Sequence, residues 1–532
     1  MACDPALEQN TTVSQSDRDT NPGPTEVPFA NDSSISLLAP VTPVTLFEHI
    51  TERARRLAQT SYAPPEAVLP AALERMDYEQ YRSIRFRPEA ALWHNETPFE
   101  VQLFHPGSLY RESVRIHLVH EQQIAELSFD KNWFRYDGRA ASIADIVGPE
   151  LGYAGFRIHY PLNSPAIKDE VVAFLGASYF RLLGQGHVYG LSSRGLAVDV
   201  ALESGEEFPS FREFWLVQPG PEATTLTFYA LLDSPSVTGA YRFDLEPGAP
   251  TALEVDAHLY ARHDVAKLGV APLSSMFLYG PDRTPPFDDF RPQVHDSDGL
   301  LMHTAAGEWI WRPLGNGPGL QVTSLRDDTP RGFGLVQRDR DFNNYLDLET
   351  NYHRRPSEWV ALGEGDWGRG GVELLSIPTD SEFNDNIAAY WTPDQPFMAG
   401  DERHYRYRLM TFDSRLETQT LAAVERTRIG RDALPGQSAS PPPSQRRIIV
   451  DFSGGNLSSF DSTQPVEAQL ETSAGQTSDL RVQPLPDGGG WRAAFRLAPE
   501  GNRPADMRLY LTLDGRSLTE TWSYVWYPDR VQ

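Results

Sequence analysis

The chain has one cysteine in 532 residues, Cys3, so no intrachain disulfide can form and cysteine usage says little about the redox compartment. Basic residues are also in short supply. Lys and Arg number 47 against 73 Asp and Glu, a formal charge of −26. No basic stretch of any length is present to neutralise phosphates, which excludes nucleic acid as a partner. Most of the acidic excess serves solubility. No apolar run approaches the roughly 20 residues that span a bilayer, and no charged-then-apolar leader is present, so a soluble protein is expected. The 13 histidines show no His-Glu-x-x-His or similar spacing, and His295 and His303 read as ordinary hydrogen-bonding groups. No metal and no cofactor are expected. Gly184-Gln185-Gly186-His187 lacks the Lys-Ser/Thr of a phosphate loop, and Ser178, Ser192 and Ser193 have no Gly-x-Ser-x-Gly frame.

What is present is ample material for a core: 40% hydrophobic residues, 11% aromatics and 11 tryptophans, in a chain too long for one ordinary core. Two domains and a tail are expected. Residues 1–41 are polar and without apolar periodicity, a disordered tail. Met1-Ala2-Cys3-Asp4 followed by that stretch reads as the mature end of a lipoprotein whose leader was replaced by a start methionine, with a lipid tether through Cys3, or as a stray cysteine in a tail. Thr45-Leu46-Phe47-Glu48 forms a capping-box pattern, and Leu46, Ile50 and Leu57 continue one helical face. From about 80 to 410 short β-rich runs such as Val114–Val119 and Leu226–Leu232 alternate with Gly, Pro, Asn and Asp turn signals. An all-β fold follows, with a large antiparallel sandwich over 42–415. A Pro/Ser-rich segment near 436–445 is a linker or long loop, and the strand-like runs beyond it suit an immunoglobulin-like sandwich over 416–532.

Chemistry concentrates between Arg291 and Trp391. This stretch holds Asp296, Asp298, Trp309, Trp311, Arg312, Tyr345, Tyr352, Trp359, Trp367, Arg369, Asp380, Glu382, Asp385 and Trp391. Aromatic faces stack on pyranose rings, and carboxylates bond sugar hydroxyls and move protons at a glycosidic oxygen. Carbohydrate is therefore the expected substrate class. Asp296 and Asp298, two apart on an extended segment, point the same way and can raise one another's pKa, or they cap backbone N–H groups in a turn beside Gly299. The loop from Asp380 to Asp385 crowds three carboxylates into six residues and supplies the second half of an acid/base pair. The tryptophans serve either as sugar platforms or as core.

Several longer motifs resemble one family. They are Gly155-Phe156-Arg157-Ile158-His159-Tyr160-Pro161-Leu162-Asn163, Phe174–Arg181, Val188–Ala197, His295-Asp296-Ser297-Asp298-Gly299-Leu300, Gly307–Leu314 and Asn384-Asp385-Asn386-Ile387. From about residue 42 to 532 they closely resemble the periplasmic (osmoregulated) glucan biosynthesis protein G/D family. The resemblance implies a galactose-mutarotase-like β-sandwich followed by an immunoglobulin-like domain, and a role in making or trimming β-1,2-glucan in the periplasm. It further implies anomer-inverting hydrolysis of that glucan. The alternatives are an inverting transglycosylase that cyclises or remodels the polymer and a non-catalytic glucan-binding assembly factor. By the same resemblance Asp385 is the general acid with Glu382 beside it, and Asp296 or Asp298, with Asp298 preferred, is the base. β-1,2-Glucan oligo- or polysaccharide is the expected partner, and a second copy of the chain is a candidate homodimer partner.

Overall fold

Short apolar runs punctuated by turn residues become antiparallel strands, and two large sheets account for most of them. The computed structural model describes residues 42–65, 69–281, 288–432, 442, 444–461, 463–486 and 488–528. The tail 1–41, with Cys3, and most of the Pro/Ser-rich segment near 436–445 lie outside the described residues. The expected all-β class is what the chain adopts. A ten-stranded sheet runs from Glu100–Phe104 at one edge through Tyr179–Leu182, Ser192–Arg194, Leu268–Ser275, Ile387–Pro393 and Arg369–Ser376 to Gln321–Asp328 at the other. A fifteen-stranded sheet runs from Gln123–Glu126 through Ala252–Ala261, Glu402–Phe412, Ser357–Gly365, Gly332–Val336, Gly299–His303 and Trp309–Pro313.

The two sheets are joined by aromatic residues. Phe156, Phe174 and Phe180 of the first sheet meet Phe211, Phe214, Phe228 and Phe243 of the second, with the Phe174 and Phe228 rings 5.4 Å apart and edge-on. Each buried ring contributes roughly 1.5–3 kcal/mol, so this stack fixes how the sheets sit on one another. The opening helix, Pro43–Ala58, lays Leu46, Ile50 and Ala54 on the opposite, outer face of the large sheet, against Trp215, Tyr229 and Tyr260. It begins earlier than the Thr45 pattern suggests. Thr42 is the N-cap and shares a reciprocal capping box with Thr45, because Pro43 suits the first helical turn, where its missing N–H costs nothing.

The C-terminal strands extend the large sheet. Thr521–Trp526 pairs parallel to Trp309–Pro313, with Ile310 opposite Thr521 and Trp311 opposite Trp522, and Ala505–Leu513 and Glu467–Thr472 follow outward. A four-stranded sheet of Ala423–Arg431, Arg446–Ser453, Gly490–Ala498 and Gln476–Pro484 packs against them, as the contact of Phe495 with Trp522 illustrates. The two sandwiches therefore share a sheet.

A buried ion pair reinforces this seam. Arg338 donates to Glu520 at 2.5 and 2.9 Å and to the Val424 carbonyl at 2.8 Å, and its guanidinium lies 3.5 Å from the Trp311 ring. Glu520 is fully buried and also accepts from the Val424 N–H and the Gln419 amide. Glu520→Ala leaves the guanidinium buried and uncompensated, so chemical denaturation is expected to show a loss of about 3–5 kcal/mol. A loss below about 1 kcal/mol, the worth of a surface pair, would remove this pair from the account of the seam.

Candidate active site

The two acidic segments, nearly ninety residues apart in sequence, are brought together by the strand Phe277–Tyr279. On one side Phe277 pairs with His295, and the Asp296 N–H donates to the Met276 carbonyl at 2.8 Å. On the other side Asn386 clasps the same residue. Its Oδ1 accepts the Phe277 N–H at 2.8 Å, and its Nδ2 donates to the carbonyls of Phe277 and Ile377, both at 3.0 Å. Asn386 is buried, so both of its amide donors and its acceptor are consumed in holding the acid loop to this strand. A further link lies one residue over, where Ser275, opposite Ile387 in the sheet, donates to the Ser297 hydroxyl at 2.8 Å.

The carboxylates so gathered have different surroundings. Asp296 is buried and ion-paired with Arg355, whose guanidinium also lies 4.2 Å from the Tyr352 ring. Burial pushes the Asp296 carboxyl upward and the nearby charge of Asp385 adds to that, while Arg355 and Arg181 oppose it. Asp298 accepts the backbone N–H groups of Arg338 and Asp339 on Oδ2, at 3.1 and 3.2 Å, and its Oδ1 is buried without a hydrogen-bond partner. Burial raises it to about 7 against the pull of Arg338 and of those two N–H groups. Asp385 is likewise raised by burial, opposed by Arg181 and Arg194, and its Oδ2 is also buried without a partner. Two carboxylate oxygens with unused lone pairs therefore stand on the two segments that Asn386 joins.

Glu382 is placed differently. It accepts from Arg291 at 2.8 Å and from the Tyr352 hydroxyl at 2.6 Å, within a network in which Arg291 also holds Asp289 and Asp347. Tyr345 stacks near Tyr352, with rings 6.2 Å apart, and bonds the Asp339 carbonyl. Both tyrosines are buried. Phe290 and Phe383, beside Arg291 and Glu382, are 75% and 59% exposed and present aromatic faces to solvent there.

The expected tryptophan platforms are covered by protein. Trp309, Trp311 and Trp359 belong to the core shared with the C-terminal strands, Trp309 stacking on His303 at 3.9 Å. Gly299 permits this packing, since a Cβ there would come within 2.1 Å of the Trp311 ring. Trp367 and Trp391 lie in the core between the large sheets, where the Trp391 Nε1–H donates to the Trp367 carbonyl at 3.1 Å. Packing thus explains all five, because flat rings of that area are the most effective fillers between sheets. Arg369 is exposed at the far end of its strand from Ser376 and the acid loop, roughly 24 Å away at strand spacing. Arg312 is buried, bonding Ser523 and Thr323, and borders a cleft of about 220 Å³ with Phe277, Tyr279, Asn316, Tyr524 and Tyr527. That volume is below the roughly 300–1,000 Å³ that encloses a whole small ligand, so the cleft suits a fragment of one.

Sequence reasoning passes over Arg355, Arg181, Arg194, the role of Asn386 and Glu358. Glu358 is fully buried, accepts from the Ser193 hydroxyl at 2.6 Å and is pushed to about 8 by burial, with Ser193, the Leu182 backbone and Arg181 opposing. Its one signal is an acid directly before the apolar run Trp359–Leu362 at the buried end of the strand Ser357–Gly365. Among the described residues the acidic site brings no three metal-ligating side chains together.

Residues 46–526 match the family described as "Periplasmic glucan biosynthesis protein, MdoG". The chain is 44% identical over 487 residues to "Glucans biosynthesis protein G" of Ralstonia nicotianae (strain ATCC BAA-1114 / GMI1000), covering 90% of this chain and 95% of that protein. Cys3 lies outside both the match and the described residues, and a lipid anchor there gains no support from either. With its acidic segments joined on a β-rich frame and its sequence matched nearly end to end, the chain belongs to the periplasmic glucan biosynthesis protein family, whose role is in glucan biosynthesis.

Proposed function

We propose that this protein works in the periplasm as an anomer-inverting glycoside hydrolase on β-1,2-glucan, with Asp385 as general acid and Asp298 as general base. The observation that carries the reading is the pair of buried carboxylate oxygens, Asp385 Oδ2 and Asp298 Oδ1, left without protein partners on two segments tied through Asn386 and Phe277. Buried polar atoms are normally satisfied, and an acid and a base awaiting sugar and water account for these two exceptions. Asp298, raised to about 7, sits where a base works well at neutral pH. Asp296 is committed to Arg355 and positions the segment.

In this reading Asp385 donates its proton to the glycosidic oxygen as the bond to the anomeric carbon breaks. Asp298 takes a proton from water, directly or through a sugar hydroxyl, as that water attacks the opposite face. Inversion follows from that geometry. Glu382, held by Arg291 and Tyr352, fixes the acid loop's shape.

Incubation of the protein with linear β-1,2-glucan, followed by product sizing, is expected to give shorter linear chains, and Asp385→Asn to lower the rate about a hundredfold or more with the fold intact. Rings one water lighter than their linear counterparts would replace hydrolysis with transglycosylation, and unchanged chain length would leave glucan binding alone. Wild-type turnover in Asp385→Asn would remove the acid assignment.

The pH profile tests the base. Asp298 must be ionised to accept a proton, so kcat/KM is expected to fall as pH drops through about 7. Asp385 must be protonated, so the rate also falls once pH climbs past its raised value. A rate without loss between pH 7 and the ordinary aspartate value of 3.8 would contradict Asp298 as base.

A further inference from the structure

The outer face of the large sheet carries a cluster that takes no part in the reaction proposed above. Along Ala252–Ala261, Val255, Ala257 and Leu259 point into the core between the sheets, so Asp256 and His258 point outward together. On the adjacent antiparallel strand, Glu402–Phe412, His404 is the register partner of His258. The two imidazoles stack at 4.3 Å with an interplanar angle of 18°. Both direct Nε2 at the same oxygen, Asp256 Oδ1, His404 from 2.8 Å and His258 from 3.4 Å.

We propose that Asp256, His258 and His404 form a binding site for a borderline divalent cation of the zinc type. The three ligand atoms lie within 4.8 Å of one another. Tetrahedral ligation at about 2.0–2.1 Å sets ligand atoms roughly 3.3 Å apart, so the His258 separation already fits and the His404 separation needs to lengthen by about half an ångström. Two imidazoles and one carboxylate form a donor set suited to zinc-like ions rather than to magnesium or calcium, which favour all-oxygen sites.

The surroundings match such a site. Arg406 Nε donates to the second Asp256 oxygen at 2.8 Å, as an outer partner that orients a ligating carboxylate. Arg242, opposite Asp256 in the neighbouring strand, pairs with Asp244 at 2.9 Å, which limits its repulsion of a cation. On the helix side the ring of Phe47 meets His258 edge-on at 5.5 Å. All three candidate ligands are half-buried, so an ion has an entry path and a fourth position remains for water.

The test is isothermal titration of the full, chelator-stripped chain with zinc chloride, with magnesium chloride as control. One saturable zinc site per chain is expected, with no matching magnesium uptake. His258→Ala and His404→Ala are each expected to weaken zinc binding by about tenfold or more, while circular dichroism and melting confirm folded variants. His258→Gln and His404→Gln serve where an alanine variant fails to fold. Absence of saturable zinc uptake, equal uptake of magnesium, or wild-type uptake in both histidine variants would overturn the proposal.

Discussion

One buried amide, the side chain of Asn386, fixes the arrangement on which the candidate chemistry rests. By bonding both the N–H and the carbonyl of Phe277, it ties the acid loop to a strand whose other edge carries His295 and Asp296. Each bond is worth only about 1 kcal/mol net, but leaving its buried partner unsatisfied costs about 1–3 kcal/mol. That asymmetry keeps the loop in one register, so position rather than stability is its contribution to function.

The acids then differ because their neighbours differ. Asp296 is matched by Arg355, Glu382 by Arg291 and Tyr352, and Asp298 by two backbone N–H groups on one oxygen only. The seam between the sandwiches enters the site through Arg338. Its backbone N–H bonds Asp298, while its guanidinium is held by Glu520 of the C-terminal part. The base proposed for the reaction is thus bonded by the backbone of a residue whose side chain also joins the two sandwiches.

Much of the fold is legible in the sequence because strands show as short β-rich runs between turn residues: the runs Val114–Val119 and Leu226–Leu232 lie within a residue or so of the strands Arg115–His120 and Leu226–Asp233. The shared sheet was not readable, since the pairing of Ile310 with Thr521 joins strands about two hundred residues apart and local pattern carries no trace of it. In the site, the crowded acids of 380–385 and the His-Asp-Ser-Asp-Gly motif were visible as composition. The tryptophans stay ambiguous in the sequence because a large ring on a strand has the same signature whether it faces a sugar or a core, and only burial separates the two. Arg355 and Glu358 are not legible in the sequence because a charged residue among other polar ones becomes meaningful only when its partner, brought from another segment, is known.

The central claim, that Asp385 and Asp298 act as one catalytic pair in a site assembled by Asn386, is tested most directly by a double-mutant cycle on linear β-1,2-glucan. Turnover is measured for Asp385→Asn, Asp298→Asn and the combined variant, each verified as folded. Groups that act as a unit are strongly non-additive, so the combined variant is expected to be no slower than the slower single variant. Losses that multiply across the two substitutions would show independent roles and contradict the account.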